Sequence, residues 1–301
     1  ESEVLPDEFY EECDRRGILL WHDFYLGYNM YNEEEHMLEL YREEAVWLVN
    51  RLKHHPSILM WCGGNEVLLS RDFQYPGAYC YGEKIFKKIY PEICENLDPD
   101  RYYHINCPSG GEWANDPREG DSHTYECIWE YPYQEYPNFL SESIRTAPPA
   151  RYSLEKIIRG ALWEPGYDGK VTRPGQGIMP ENWRQRIHLL ADGERYSGNY
   201  WEYYDVTDAD SMLYRFGASY GAAIKRIGEQ VRKGSREKAD FTKRSKGYMA
   251  CKLLDTWPKV FCAIIDYFQE GYIPYYATKR VLSPVMVQFS REESLRLYAV
   301  N

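Results

Sequence analysis

Two stretches of the sequence are the most informative about its fold: HHPSILMWCGGNEV at residues 54–67 and NFLSES at residues 138–143. Each contains a short apolar run, and each run leads to a glutamate, Glu66 in the first and Glu142 in the second. Apolar runs of about four to eight residues are typical of strands that are buried on both faces. The sequence therefore predicts two buried strands, each with a carboxylate at its carboxyl end.

Helix and strand patterns alternate around these two stretches. Helices are predicted near residues 6–16, 33–53, 82–97, 181–195 and 208–233, and strands near 18–24, 58–66, 102–108, 122–129, 138–143 and 247–255. A short helix, a break at Pro284 and an antiparallel β segment are predicted after them. This alternation predicts an α/β fold with a parallel sheet and crossover helices. Glu66 and Glu142 are 76 residues apart with two strands between them, a spacing near that of a (β/α)8 barrel, whose chemistry lies at the carboxyl ends of strands.

Composition excludes several classes of partner. The net charge of −11 disfavours binding to nucleic acid, and no apolar run approaches the ~20 residues of a membrane span. The eight cysteines include no C-x-x-C pair, which favours buried thiols over a metal site or a disulfide framework. The 29 tyrosines and 9 tryptophans suit stacking on sugars, or simply an aromatic-rich core and surface.

A pair of carboxyl groups at strand ends suits one reaction in particular. Hydrolysis of a glycosidic bond needs one carboxyl group to protonate the leaving oxygen and a second to attack or stabilise the sugar carbon. Glu66 and Glu142 are the candidates for these two roles.

Several segments of the sequence resemble those of a known family. FYEECDRRGILLWHDF (9–24), followed by HHPSILMWCGGNE (54–66), is similar to glycoside hydrolase family 2, particularly its β-mannosidase branch. Further similar segments are GDSHTY (120–125), NFLSES (138–143), LLDTWPKV (253–260), YYATKR (275–280) and LYAVN (297–301). The resemblance implies a (β/α)8 TIM barrel catalytic domain over residues 1–282, with strands three to eight present, and the start of a C-terminal β-sandwich domain at 283–301.

The ends of the chain suggest a fragment. The sequence opens on Glu1 and closes within an alternating strand pattern. We therefore expect upstream β-sandwich domains and two barrel strands to be missing, and we expect the isolated fragment to have little or no activity, because part of the active-site wall is absent.

The resemblance also implies roles for single residues. Glu66 matches the acid/base, Glu142 the nucleophile, and Asn65 a residue that binds the substrate's 2-hydroxyl. His123 and Tyr125 either contact sugar hydroxyls or orient Glu142, although His123 could equally be a structural residue. Retention of configuration predicts carboxyl groups about 5–5.5 Å apart, and neither a metal nor a cofactor is expected.

Three residues near the first strands are further candidates for substrate binding. Trp61 precedes Glu66 and is expected to raise its pKa through an apolar environment. His22 and Asp23 are either subsite residues or part of a network behind the site.

The sequence departs from the β-mannosidase pattern at two places. Cys251 and Leu254 stand where the family has Trp and Asn, and SIRTAPP (143–149) after the nucleophile is somewhat nearer to exo-β-glucosaminidases. The predicted function is a retaining, β-mannosidase-like exo-β-glycosidase acting on an oligosaccharide or glycoside. The alternatives are a family 2 exo-β-glucosaminidase, β-galactosidase or β-glucuronidase, and a degenerate carbohydrate-binding member without activity. The resemblance favours a periplasmic or extracellular location.

Overall fold

The computed structural model describes residues 3–124, 138–143, 147–163, 180–184, 186, 207–237, 244–260, 263–291 and 295–300. The chain divides into two compact units, Glu1–Ser122 and His123–Asn301. No helix in the described ranges combines the length and apolar character needed to cross a membrane.

The first unit alternates helices and strands. Its elements are α1 (Asp7–Arg16), β1 (Leu20–Asp23), α2 (Glu35–Leu52), β2 (Ile58–Cys62), α3 (Val67–Gln74), a π-helical segment (Ile85–Ile89) leading into α4 (Tyr90–Leu97), and β3 (Tyr102–His104). The π-helical segment interrupts the single helix predicted over 82–97, and the sequence analysis did not predict α3. The other helices and the three strands lie where they were predicted, although each strand is shorter.

The three strands form one parallel sheet in the order β1-β2-β3. In the registers of the two pairs, Met60 lies opposite Trp21 on one side and Tyr102 on the other. Parallel strands need crossover connections, and α2 and α4 provide helices in those connections. All three strands therefore end at the same edge of the sheet, and the chain continues from β2 at that edge to Glu66.

The core of the first unit lies between the sheet and its helices. Phe24 stacks on Tyr90 with ring centroids 4.2 Å apart, and Trp61 has no exposed surface. The buried apolar residues of α2 and α4 pack in the same cluster; they are Ala45, Leu48, Val49, Leu52, Tyr90, Ile93 and Cys94. Ile58 and Trp61 of β2 pack in this cluster as well, which supports the residues that follow the strand.

The described residues of the second unit form two small sheets and several helices. Its elements are β4 (Ser122–Thr124), which begins on the last residue of the first unit, β5 (Leu140–Ser143), α5 (Arg151–Ile157), α6 (Glu181–Arg184), α7 (Ala209–Glu237), α8 (Ile273–Val281), β6 (Met286–Arg291) and β7 (Leu295–Val300). Strand β4 pairs with β5, and β6 pairs with β7. The predicted strand 122–129 and helix 181–195 extend beyond the described residues.

Helix α7 organises the core of this unit. Met212, Phe216 and Ile224 on α7 are almost completely buried in a cluster that includes Leu140 of β5 and Val281 of α8. The antiparallel pair β6–β7, predicted as the start of a β segment, also contacts α7, where the Gln288 amide donates to the Glu229 carbonyl at 3.0 Å. Assignment of residues 283–301 to a separate C-terminal domain stays a prediction.

The predicted strand over residues 247–255 is wrong as a regular strand. The segment forms two isolated parallel bridges, the first between Tyr248 and Leu140 and the second at Leu254. Backbone N–H groups of Met249 and Cys251 nevertheless donate to Leu140 and Ser143, both at 2.8 Å. The segment thus follows β5 without a continuous ladder, because the chain turns away at Leu254, which bridges Ile265 instead.

Candidate active site

Glu66 lies in a tight turn between β2 and α3. Its side chain is buried, with the residue 3% exposed, and its backbone has φ 57° and ψ 18°, the left-handed conformation. This conformation is uncommon for a residue with a side chain. Backbone bonds hold it: the Glu66 N–H donates to the Cys107 carbonyl, and the Glu66 carbonyl accepts from Ser70 at 2.8 Å.

Two glycines bring this turn close to its neighbours. A Cβ at Gly63 would lie 2.2 Å from the Ile105 carbonyl oxygen, and one at Gly64, which has φ 139°, would lie 2.6 Å from Leu26. No larger residue fits these positions without movement of the backbone. The Gly-Gly pair in the sequence therefore serves close packing against the residues that follow β1 and β3.

Asn106 is a further support that the sequence analysis missed. It is fully buried, donates its amide to the Gly64 carbonyl at 2.7 Å, and accepts from the Leu68 N–H at 3.1 Å. One side chain thus ties the turn before Glu66 to the first turn of α3. A polar residue inside the apolar run YYHINCP was the signal available. Asn65, also buried, donates its backbone N–H to Leu26 at 2.7 Å.

His22, on β1, belongs to a buried hydrogen-bond network. Its Nε2 lies 2.9 Å from the Tyr10 hydroxyl and its Nδ1 lies 3.0 Å from the Asp23 carbonyl. Burial lowers the pKa of His22 to about 4, so the ring is neutral near pH 7. The Asp23 carboxylate accepts from the Trp21 indole at 3.0 Å. Of the two interpretations given from the sequence, the structure supports the network for His22.

Trp61 does not fit a role in sugar binding. The residue is 0% exposed, its indole N–H donates to Asp98 at 2.9 Å, and its ring lies among His22 and Phe24. A ring without exposed surface offers no face to a ligand. Trp61 is a core residue in this structure, because successive side chains of β2 alternate between opposite faces of the sheet.

Glu142 lies on β5 in the second unit and is 6% exposed. Each carboxylate oxygen has its own partner. The Cys251 thiol donates to Oε1 at 3.1 Å, and His123 Nδ1 lies 3.3 Å from Oε2. His123, on the adjacent strand β4, has a completely buried side chain. These contacts come from two different neighbours of β5, so together they restrict rotation of the carboxylate.

The two residues predicted to contact sugar hydroxyls or to orient Glu142 have different outcomes. His123 contacts Glu142, as one of the two predicted roles required, whereas Tyr125 lies outside the described residues. Leu254 is 47% exposed. The adjacent Asp255 is buried and pairs with Lys259 at 3.1 Å, and burial raises the pKa of that carboxyl group.

The chain is similar to known proteins over most of its length. Residues 8–130 match the TIM barrel domain of glycosyl hydrolases family 2. The chain is 29% identical to β-mannosidase B from Aspergillus clavatus over 308 residues, which cover 95% of this chain and 34% of the relative. It is also 29% identical to β-mannosidase B from Aspergillus niger over 311 residues, with the same shares covered.

Solved structures extend the comparison. A β-D-mannosidase from Dictyoglomus thermophilum superposes with a TM-score of 0.83 and 26% identity, covering 99% of this chain and 35% of that one. An exo-chitosanase from Amycolatopsis orientalis superposes with a TM-score of 0.71 at 15% identity over 96% of this chain and 34% of that one, which shows a shared fold. The chain thus has the (β/α)8 catalytic-domain fold in part and spans about a third of the length of the curated relatives it matches.

Proposed function

We propose that this chain, a β-mannosidase-like member of glycoside hydrolase family 2, carries the two catalytic glutamates of a retaining exo-β-glycosidase. The observation that carries the proposal is the environment of Glu142. A buried carboxylate on a strand, with a separate partner at each oxygen, is oriented in advance, as a nucleophile needs to be.

The first step forms a covalent intermediate. A Glu142 oxygen bonds to the anomeric carbon of the terminal sugar while the bond from that carbon to the leaving oxygen breaks. Glu66 gives its proton to the leaving oxygen, so the aglycone departs neutral and Glu66 becomes a carboxylate. His123 and Cys251 stay with Glu142 as its carboxylate loses its negative charge and becomes a neutral ester, while the negative charge is left on Glu66.

The second step restores the enzyme. The Glu66 carboxylate takes a proton from water, whose oxygen bonds to the anomeric carbon as the ester bond to Glu142 breaks. Two inversions give net retention. Asn65, adjacent to Glu66 in the same rigid turn, is proposed to bind the 2-hydroxyl, a contact that strengthens in the transition state.

Substitution of each glutamate tests these roles. In the intact protein, Glu142→Gln should lower kcat by at least about 10⁴-fold on every substrate. Glu66→Gln should lower it by about 10²- to 10⁴-fold on an unactivated disaccharide. The loss should be smaller on a p-nitrophenyl glycoside, whose leaving group needs no proton. Glu95→Gln, on the exposed face of α4, serves as the matched control and should leave kcat unchanged. Unchanged turnover in Glu142→Gln would refute the assignment.

The proposed substrate is a terminal β-linked mannose. The names of the relatives support β-mannose, and the SIRTAPP segment favours β-glucosamine as the second candidate. Initial rates on p-nitrophenyl β-mannoside, β-glucosaminide, β-galactoside and β-glucuronide at equal concentration will rank the candidates. A protein that binds these sugars but hydrolyses none would be a degenerate binding member.

A location outside the cytoplasm is proposed from the family resemblance alone. Expression of the complete gene in its own host, followed by activity measurements on separated culture medium, periplasm and cytoplasm, tests it. Activity confined to the cytoplasmic fraction would contradict this proposal.

A further inference from the structure

We infer that Cys251 is a positioning residue for Glu142, holding the nucleophilic carboxylate through a thiol hydrogen bond. The inference rests on the proposed function and adds a residue to it. It concerns a position at which this chain differs from the β-mannosidase pattern, where a Trp is expected instead.

The contact between the two side chains is direct. The Cys251 Sγ lies 3.1 Å from Glu142 Oε1 with the thiol as donor. A separation of 3.1 Å is short for a hydrogen bond donated by a sulfur atom. Of the six cysteines in the described residues, Cys251 alone is partly exposed, whereas the other five are buried.

The backbone fixes this contact from both sides. The Cys251 N–H donates to the Ser143 carbonyl at 2.8 Å, next in sequence to Glu142. Two residues earlier, the Met249 N–H donates to Leu140 at 2.8 Å, and its carbonyl accepts from the Ser143 hydroxyl at 3.4 Å. Cys251 therefore cannot shift along β5 without loss of several hydrogen bonds.

A thiol has suitable chemistry for this role. It is a weak donor compared with a hydroxyl or an N–H group. A weak hydrogen bond restricts the rotation of a carboxylate while withdrawing little of the electron density that the attack on carbon requires. His123 restrains the other oxygen.

The test measures the reactivity of Glu142 itself. A 2-deoxy-2-fluoro glycosyl fluoride, with the sugar that the intact protein hydrolyses fastest, reacts at the nucleophile. A Glu142 oxygen bonds to the anomeric carbon and fluoride leaves. The rate of this labelling, with the labelled peptide identified by mass spectrometry, reports the nucleophile without dependence on the later hydrolysis step.

Three variants of Cys251 separate positioning from packing. Cys251→Ala and Cys251→Val remove the donor, with and without loss of volume, and each should slow labelling of Glu142 by about tenfold. Cys251→Ser keeps a donor and should label within about threefold of the wild-type rate. Cys13→Ala, which removes a buried thiol on α1, is the control and should not change the rate.

The outcomes are distinguishable. Wild-type rates in both the Ala and Val variants, or equal slowing in Ser, Ala and Val, would overturn the inference while leaving the proposed function intact. If Cys251→Ala does not fold, as shown by loss of its thermal unfolding transition, the labelling rates of Cys251→Ser and Cys251→Val are compared instead. Slower labelling in the Val variant than in the Ser variant supports the inference, and equal rates overturn it. Failure of the wild-type protein to hydrolyse any of the four glycosides, or labelling of a residue other than Glu142, would overturn the proposed function and the inference with it.

Discussion

The two candidate glutamates are held in different ways. Glu66, in the first unit, is positioned by its backbone: a left-handed conformation, two glycines in close contact with neighbouring residues, and hydrogen bonds between main-chain atoms. Glu142, in the second unit, lies in a regular strand and is positioned by side chains, with His123 at one oxygen and Cys251 at the other.

This difference separates the effects of mutation. Around Glu66, substitutions that alter the backbone should reduce folding stability first, because the turn packs against the core of its unit. Around Glu142, substitutions of a contacting side chain should reduce activity first, since the strand remains in place without them. Three experiments test this contrast.

The largest effect is expected at Gly63. In Gly63→Ala, the added methyl group would overlap the Ile105 carbonyl and the Tyr103 hydroxyl, with contacts of 2.2 and 2.3 Å. Because this carbonyl belongs to the backbone that follows β3, relief requires the backbone to move, and we expect a loss of about 3 kcal/mol in the free energy of unfolding. Urea titration followed by circular dichroism measures it.

Gly17→Ala is the control for this prediction. Gly17 ends α1 with φ 67°, and no atom lies within 4 Å of an added Cβ. The substitution meets only the cost of the left-handed conformation, about 1 kcal/mol. Equal losses in the two variants would show that close packing at Gly63 is unimportant.

The second effect is a pH dependence of stability in the first unit. The pKa of His22 is lowered to about 4 by burial, whereas an unfolded chain has a value of about 6.5. Between these values the unfolded chain binds more protons, so stability is fully present above pH 6.5 and falls as the pH drops through this window towards 4. The contribution is up to about 3 kcal/mol.

His22→Gln should flatten this part of the curve. The measurement is the free energy of unfolding at several pH values between 4 and 7. His36→Gln, which alters an exposed histidine on α2, should leave the slope as in the wild type. A slope unchanged by His22→Gln would show that other groups cause it.

The smallest effect is expected at His123. In His123→Gln, loss of the contact with Glu142 Oε2 should lower kcat/KM by about tenfold, or about 1.4 kcal/mol. The midpoint of thermal unfolding should fall by only a few degrees. A large loss of stability with unchanged activity per folded molecule would contradict the contrast between the two units.

Some features were predictable because they depend on local sequence. Helices α1, α2 and α7 follow from apolar periodicity over at least ten residues each. Helix α3 was missed because VLLSRDFQ directly follows the strand and the Gly-Gly turn, and its pattern spans only eight residues. Residues 247–255 have strand character in the sequence, but whether a ladder forms depends on the path of β5.

The sequence alone determined the order of helices and strands, the family resemblance and the two glutamates at strand ends, because each depends on residues close together in the chain. The side chains that contact the two glutamates and their turns became known from the three-dimensional fold. Trp61, a predicted sugar contact, turned out to be core, while Asn106 and Cys251 emerged as supports. Such contacts join residues 42 and 109 positions apart, and the direction of each side chain is set by packing that no local pattern records.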